Sequence, residues 1–113
     1  MTTIKILQNE SGSIVGYTVN GHTGYAEAGK DIVCASISTL TQTTLIALNK
    51  VCGVKEEKLQ YTVKDGYLKV SISEDINEQQ RKKVSVVLET MIVGIEALLE
   101  DYSEYLTLEY GEV

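Results

Sequence analysis

The last third of the chain carries one apolar stripe at helical spacing: Val84, Leu88, Met91, Ile95, Leu98 and Tyr102, widened by Val87, Ile92 and Leu99. Side chains three and four positions apart share one face of a helix, so a stripe this wide needs another layer to cover it. The spacing predicts a helix that opens at Asp75-Ile76-Asn77-Glu78, a capping-box-like start, and runs to about Asp101. A second stripe, Val33, Ile37, Leu40, Thr44, Leu48 and Val51, follows Asp31 as N-cap and stops at Gly53.

Between and around these stripes the pattern changes to strict alternation. Thr3 to Gln8 places Ile4 and Ile6 on one face, and Ser13 to Asn20 does the same with Val15, Tyr17 and Val19. Asn9-Glu10-Ser11-Gly12 between them has turn chemistry and predicts a β-hairpin. Leu59, Tyr61 and Val63 alternate, as do Leu68, Val70 and Ile72, across an Asp65-Gly66 hairpin signal. Tyr105 to Tyr110 reads as a last strand. The order ββαββαβ predicts an α+β fold, two helices packed on one face of a mostly antiparallel sheet, in a single domain over 1–113.

Composition bounds the partners. A hydrophobic share of 43% in 113 residues suffices for a core without disulfide staples. The net charge of −6 argues against direct nucleic-acid binding, which uses a basic face; it suits solubility first and a basic partner second. The opening MTTIKILQNE lacks a basic flank followed by an apolar run, so no secretory signal is expected. No apolar stretch is expected to approach membrane-spanning length. The expected setting is cytoplasmic, with both cysteines reduced.

The chemistry concentrates in one segment. His22, the single histidine, lies twelve positions before Cys34, and Gly21, Gly24 and Gly29 occupy the stretch around and between them. With Asp31 as N-cap, Cys34 takes the third helical position, where free amides and the helix dipole favour an anion. His22 is placed to accept the thiol proton and return it to a leaving amine. The Cys34 amide is the simplest candidate oxyanion donor. Ser38, one turn on, shares the Cys34 face. Asp31 can orient His22, but capping already explains it. Cys is also a common small core residue, and a lone loop histidine commonly does nothing, so the spacing alone leaves both readings open. Gly21 to Lys30 is expected to be the most mobile internal segment.

Other uses of the cysteines fit less well. In an unbroken helix Cys34 and Cys52 stand about 27 Å apart along the axis, too far for a disulfide or a shared metal. There is no Cys-x-x-Cys pair, so neither zinc nor another metal or cofactor is expected. Cys52, beside Gly53 at the helix end, reads as a structural thiol. The glycines match neither a Walker loop nor Gly-x-Gly-x-x-Gly.

Gly21-His22 and Gly29-Lys30-Asp31-Ile32-Val33-Cys34-Ala35, with Ser38 following, resemble the ribosomal-processing cysteine protease (Prp) family of Firmicutes and related bacteria, over essentially the whole chain. Thr23 departs from the pattern, which has a small Ala after the histidine, and leaves the dyad intact. The resemblance implies Cys34 as nucleophile and His22 as general base. It implies removal of a short N-terminal extension from the precursor of a large-subunit ribosomal protein of the bL27 type, cut after an aromatic pair. It also implies a homodimer with a mobile loop over the site. Gly21, Ser38 and Tyr25, the last as a surface for a substrate ring, are the expected substrate contacts. The rival expectation is a non-enzymatic ribosome-assembly or adaptor protein with Cys34 in its core.

Overall fold

A computed structural model describes residues 1–27 and 30–113. The strands are β1 (Thr2–Gln8), β2 (Ile14–Asn20), β3 (Leu59–Lys64), β4 (Tyr67–Ile72) and β5 (Leu106–Glu112), and the helices are α1 (Ile32–Lys50) and α2 (Glu78–Tyr102). They follow the expected ββαββαβ order in one five-stranded sheet, β3-β4-β2-β1-β5. Every neighbouring pair is antiparallel except β1 and β5, which run parallel.

These pairings fix the path of both helices. Since β2 and β3 are each antiparallel to β4, they run the same way, and α1 returns the chain between them. By the same reasoning β4 runs with β5, and α2 links them. The end of β2, the start of α1, the β3–β4 turn, the start of β1 and the junction of α2 with β5 therefore gather at one end of the sheet. This clustering positions the site.

Alternation sets the core. Ile4 and Ile6 on β1, Tyr17 on β2, Leu68, Val70 and Ile72 on β4, and Leu106 on β5 are buried beneath the helices. From above they meet Val33, Ile37 and Leu48 of α1 and Val84, Leu88, Met91 and Ile95 of α2. Each fully buried side chain of this size stabilises the fold by roughly 1.5–3 kcal/mol relative to exposure. Tyr17 is wholly buried and its hydroxyl donates to the Thr41 carbonyl at 2.7 Å, pinning α1 to β2; burial pushes this phenol well above its ordinary range. The helices meet closely where Gly94 of α2 faces Leu40, whose Cδ2 would lie 2.8 Å from any added Cβ.

Several expectations need correction. Val51 is 61% exposed, because it is the C-cap beyond the last buried turn; Thr41 completes the buried stripe instead. The cap of α2 is Asn77, whose side chain accepts from the Gln80 amide at 2.8 Å while Gln80 accepts from the Asn77 amide at 3.1 Å. The box is thus Asn77–Gln80, not Asp75–Glu78, and Asp75 pairs with Lys58. The expectation about membrane-spanning length also fails: α1 has 19 residues with a mean hydropathy of 1.3, enough to cross a membrane by length and composition. Its stretch before Lys50 has no charged side chain, yet it packs on the sheet through Val33, Ile37, Thr41, Thr44 and Leu48. Ala28 and Gly29, part of the segment expected to be mobile, lie outside the described residues.

Candidate active site

Asp31 organises the start of α1. It holds an extended backbone, and its Oδ1 accepts from the Cys34 amide at 2.9 Å, as an N-cap does. Its Oδ2 accepts from the Thr23 hydroxyl, the Tyr25 amide at 3.1 Å and the Ala26 amide at 3.4 Å. Burial pushes the Asp31 carboxyl up, but hydrogen bonds from Thr23, from the Cys34 and Ala26 amides and from the Cys34 side chain outweigh it and hold the carboxyl down at about 2. One carboxylate thus caps the helix and ties the preceding loop across it.

Cys34 is half-buried in the first turn of the helix. Its sulfur receives the Thr23 amide at 3.3 Å, with the Thr23 hydroxyl 3.4 Å away. Thr23 is itself buried, so the residue that departs from the family pattern lies against the thiol and the cap at once. The Cys34 amide is engaged by Asp31, which corrects its expected role as a free oxyanion donor.

His22 sits on the other wall. Its carbonyl accepts from the N-terminal ammonium of Met1 at 2.7 Å, and the neighbouring Gly21 amide donates to the Gly66 carbonyl at 2.8 Å. Its imidazole lies against the β3–β4 turn: Nε2 is 3.7 Å from the Asp65 carboxylate, and a Cβ on Gly66 would come within 2.8 Å of the same atom. Gly66 has a φ of +69°, the left-handed conformation that an Asp-Gly hairpin turn requires. His22 therefore faces Asp65, whereas Asp31 is committed to the cap and loop.

The two side chains line one cleft of about 670 Å³, bounded by α1 on one side and the β3–β4 hairpin on the other. Gly21 and Ser38 line it too, as do Val63, Asp65 and Gly66. The imidazole and the thiol are not hydrogen-bonded to each other; such contacts commonly tighten only with substrate in place. Tyr25 stands apart from the cleft. Its ring makes edge-to-face contacts with Tyr102 and Tyr105, centroids 5.7 and 5.2 Å away, and fastens the loop to the end of α2. Cys52 is buried, and burial pushes its thiol up, which suits a structural cysteine. Among the described residues no three His, Cys, Asp or Glu side chains converge as a metal-holding group.

Sequence reasoning missed Thr23, Asp65 and Gly66 as members of the site. The last two carried only a turn signal, and nothing local says which loop that turn will meet.

A thiol at a helix start, with an imidazole on the facing wall of an open cleft, is an arrangement suited to cysteine-dependent acyl transfer. The chain belongs to the cysteine protease Prp family, whose model matches residues 1–107. It is 29% identical over 112 residues to the ribosomal processing cysteine protease Prp of Staphylococcus aureus (strain Mu50), covering 97% of this chain and 99% of that one. Its identity to the protein of that name from Bacillus subtilis (strain 168) is 28% over 101 residues, 89% of each chain. The crystal structure of the Staphylococcus aureus protease in complex with a covalently linked product peptide superimposes with a TM-score of 0.80 at 26% identity, covering 98% of this chain and 100% of that one. The enzyme class is therefore that of a cysteine protease, on the same two-helix, five-strand fold.

Proposed function

We propose that this protein is a processing endopeptidase that removes a short N-terminal extension from the precursor of a large-subunit ribosomal protein of the bL27 type, cutting after an aromatic pair. The observation that carries the reading is the shared cleft of Cys34 and His22 in a chain of this family. Its relatives' names supply the ribosomal substrate class. His22 takes the proton from Cys34 Sγ, and the thiolate attacks the scissile carbonyl carbon. The C–N bond then breaks, with the His22 proton passing to the leaving amine. Water, deprotonated by His22, hydrolyses the thioester and restores the thiol.

Gly21 and Ser38, both on the cleft, are the proposed substrate contacts. Tyr25 reaches substrate only with the part of its ring that Tyr102 and Tyr105 leave open. The proposal includes a cytoplasmic setting and a homodimer. Val86 and Val93, exposed one heptad apart on α2, are surfaces that a second copy would cover.

The test is intact-mass spectrometry of the full-length ribosomal precursor after incubation with this protein. The reading expects one new product whose N-terminus follows two consecutive aromatic residues. An unchanged precursor mass favours the adaptor reading instead.

A further inference from the structure

The helix-facing side of the sheet is buried at its centre and left open at both edge strands, at Tyr110 of β5, the partner of Ile6, and along β3. Leu68, Val70 and Ile72 of β4 are covered, but their cross-strand partners Val63 and Tyr61 on β3 are 54% and 52% exposed. Both face the helix side, because they lie two and four residues beyond the buried Leu59, which pairs with Ile72. Two large apolar side chains on an edge strand, on the side meant for packing, are a liability unless something covers them.

Topology says where this ledge leads. Because α1 returns the chain from the end of β2 to the start of β3, it runs opposite to β3. Its first turns, with Cys34 and Ser38, lie beside the end of β3, where Val63 lines the same cleft. Moving away from the thiol along this wall, Val63 is followed by Tyr61. Two residues of a strand span roughly 6.6 Å, the spacing of alternate side chains in an extended peptide.

We propose that Val63 and Tyr61 form the apolar subsites of the cleft. An extended peptide lies between α1 and β3 on one flank of the scissile bond. Val63 meets a bulky apolar side chain near the cut, and Tyr61 meets the side chain two residues further out. This rests on the peptidase reading above, and it names the residues that select the substrate. Val63 on the catalytic cleft, with Tyr61 next along the same face of β3, favours peptide over a second copy of this chain as the occupant.

The test is fluorescence anisotropy on Cys34→Ala protein, so that binding is read without turnover. The probes are a short fluorescein-labelled peptide with three consecutive Phe residues, so that two alternate Phe side chains meet Val63 and Tyr61, and its Ala-substituted counterparts. Val63→Ser and Tyr61→Ser should each weaken binding of the Phe peptide about tenfold, the scale for losing an apolar pocket contact. They should leave binding of the peptide with Ala at the matching position unchanged. Tyr61→Phe should bind like the parent. Equal loss for Phe and Ala peptides, no loss, or no binding of the Phe peptide by the parent overturns the assignment. So does conversion of a dimer to a monomer by these substitutions with peptide affinity intact. Peptide binding that responds as expected, without cleavage by the protein that retains Cys34, would overturn the peptidase reading alone.

Discussion

The backbone amide of Thr23 donates to Cys34 Sγ at 3.3 Å, so the residue after the candidate base holds the candidate nucleophile directly. Its hydroxyl reaches both the sulfur and the Asp31 carboxylate. Replacing Thr23 by Val keeps the shape and the amide but removes the hydroxyl, leaving the half-buried Asp31 short of a donor. The expected loss is about 1–3 kcal/mol, the cost of an unmet polar partner, together with a lower kcat/KM. Thr23→Ser should retain both properties. Melting curves and peptide kinetics on the pair check this, and a Val variant equal to the parent would remove Thr23 from the site.

Asp31 gives the cap a pH dependence with a definite sign. Its carboxyl is held at about 2 in the folded chain against 3.8 ordinarily, so its stabilisation is fully present above pH 3.8 and is lost as pH falls toward 2. Asp31→Ala should cost about 0.5–2 kcal/mol at neutral pH through loss of the cap. The melting-temperature gap between parent and variant should shrink as pH is lowered through this window. A gap that stays constant from pH 5 to the lowest pH at which both still fold, well below 3.8, would show that the ionised carboxylate is not what stabilises the helix start.

Gly66 serves both the turn and His22. A Cβ there meets the imidazole, and the positive φ costs a side chain about 1–2 kcal/mol. Gly12 supplies the control: its φ is +83°, with nothing within 4 Å of an added Cβ. Gly12→Ala and Gly66→Ala should therefore both lower stability, while only Gly66→Ala lowers kcat. Equal activity in the two variants would detach the β3–β4 turn from the chemistry.

The two cysteines should differ sharply toward alkylation. Cys34 opens onto the cleft, whereas Cys52 is sealed in the core with its thiol pushed up by burial. Iodoacetamide at neutral pH should add one group, at Cys34, with Cys52 reacting only in denaturant. Peptide mapping after limiting exposure reads this out, and equal labelling in the folded protein would contradict the assignment of roles.

The fold was largely legible because each element announces itself locally. Asn9–Gly12 and Asp65-Gly66 mark turns, Asp31 and Gly53 bracket α1, and the alternation on β1, β2 and β4 names the core face. Alternation sets a face but not a neighbour, so nothing in Tyr105–Tyr110 specified the parallel pairing of β5 with β1. The same limit hid half of the site. His22 and Cys34 stand out as residue types, but Asp65 meets His22 only because α1 returns the chain to β3, a long-range fact with no local signature. The Asn77–Gln80 box was obscured by Asp75 and Glu78, an equally good capping pattern two residues earlier in the chain.

In the proposed mechanism the Cys34 sulfur performs the covalent step. Single-turnover incubation of the ribosomal precursor with an excess of Cys34→Ala protein, read by intact mass beside the parent, tests it most directly. The parent should cleave completely and a variant that melts like it not at all, because the thiolate supplies the covalent step. Cleavage at the same bond by folded Cys34→Ala protein would contradict it.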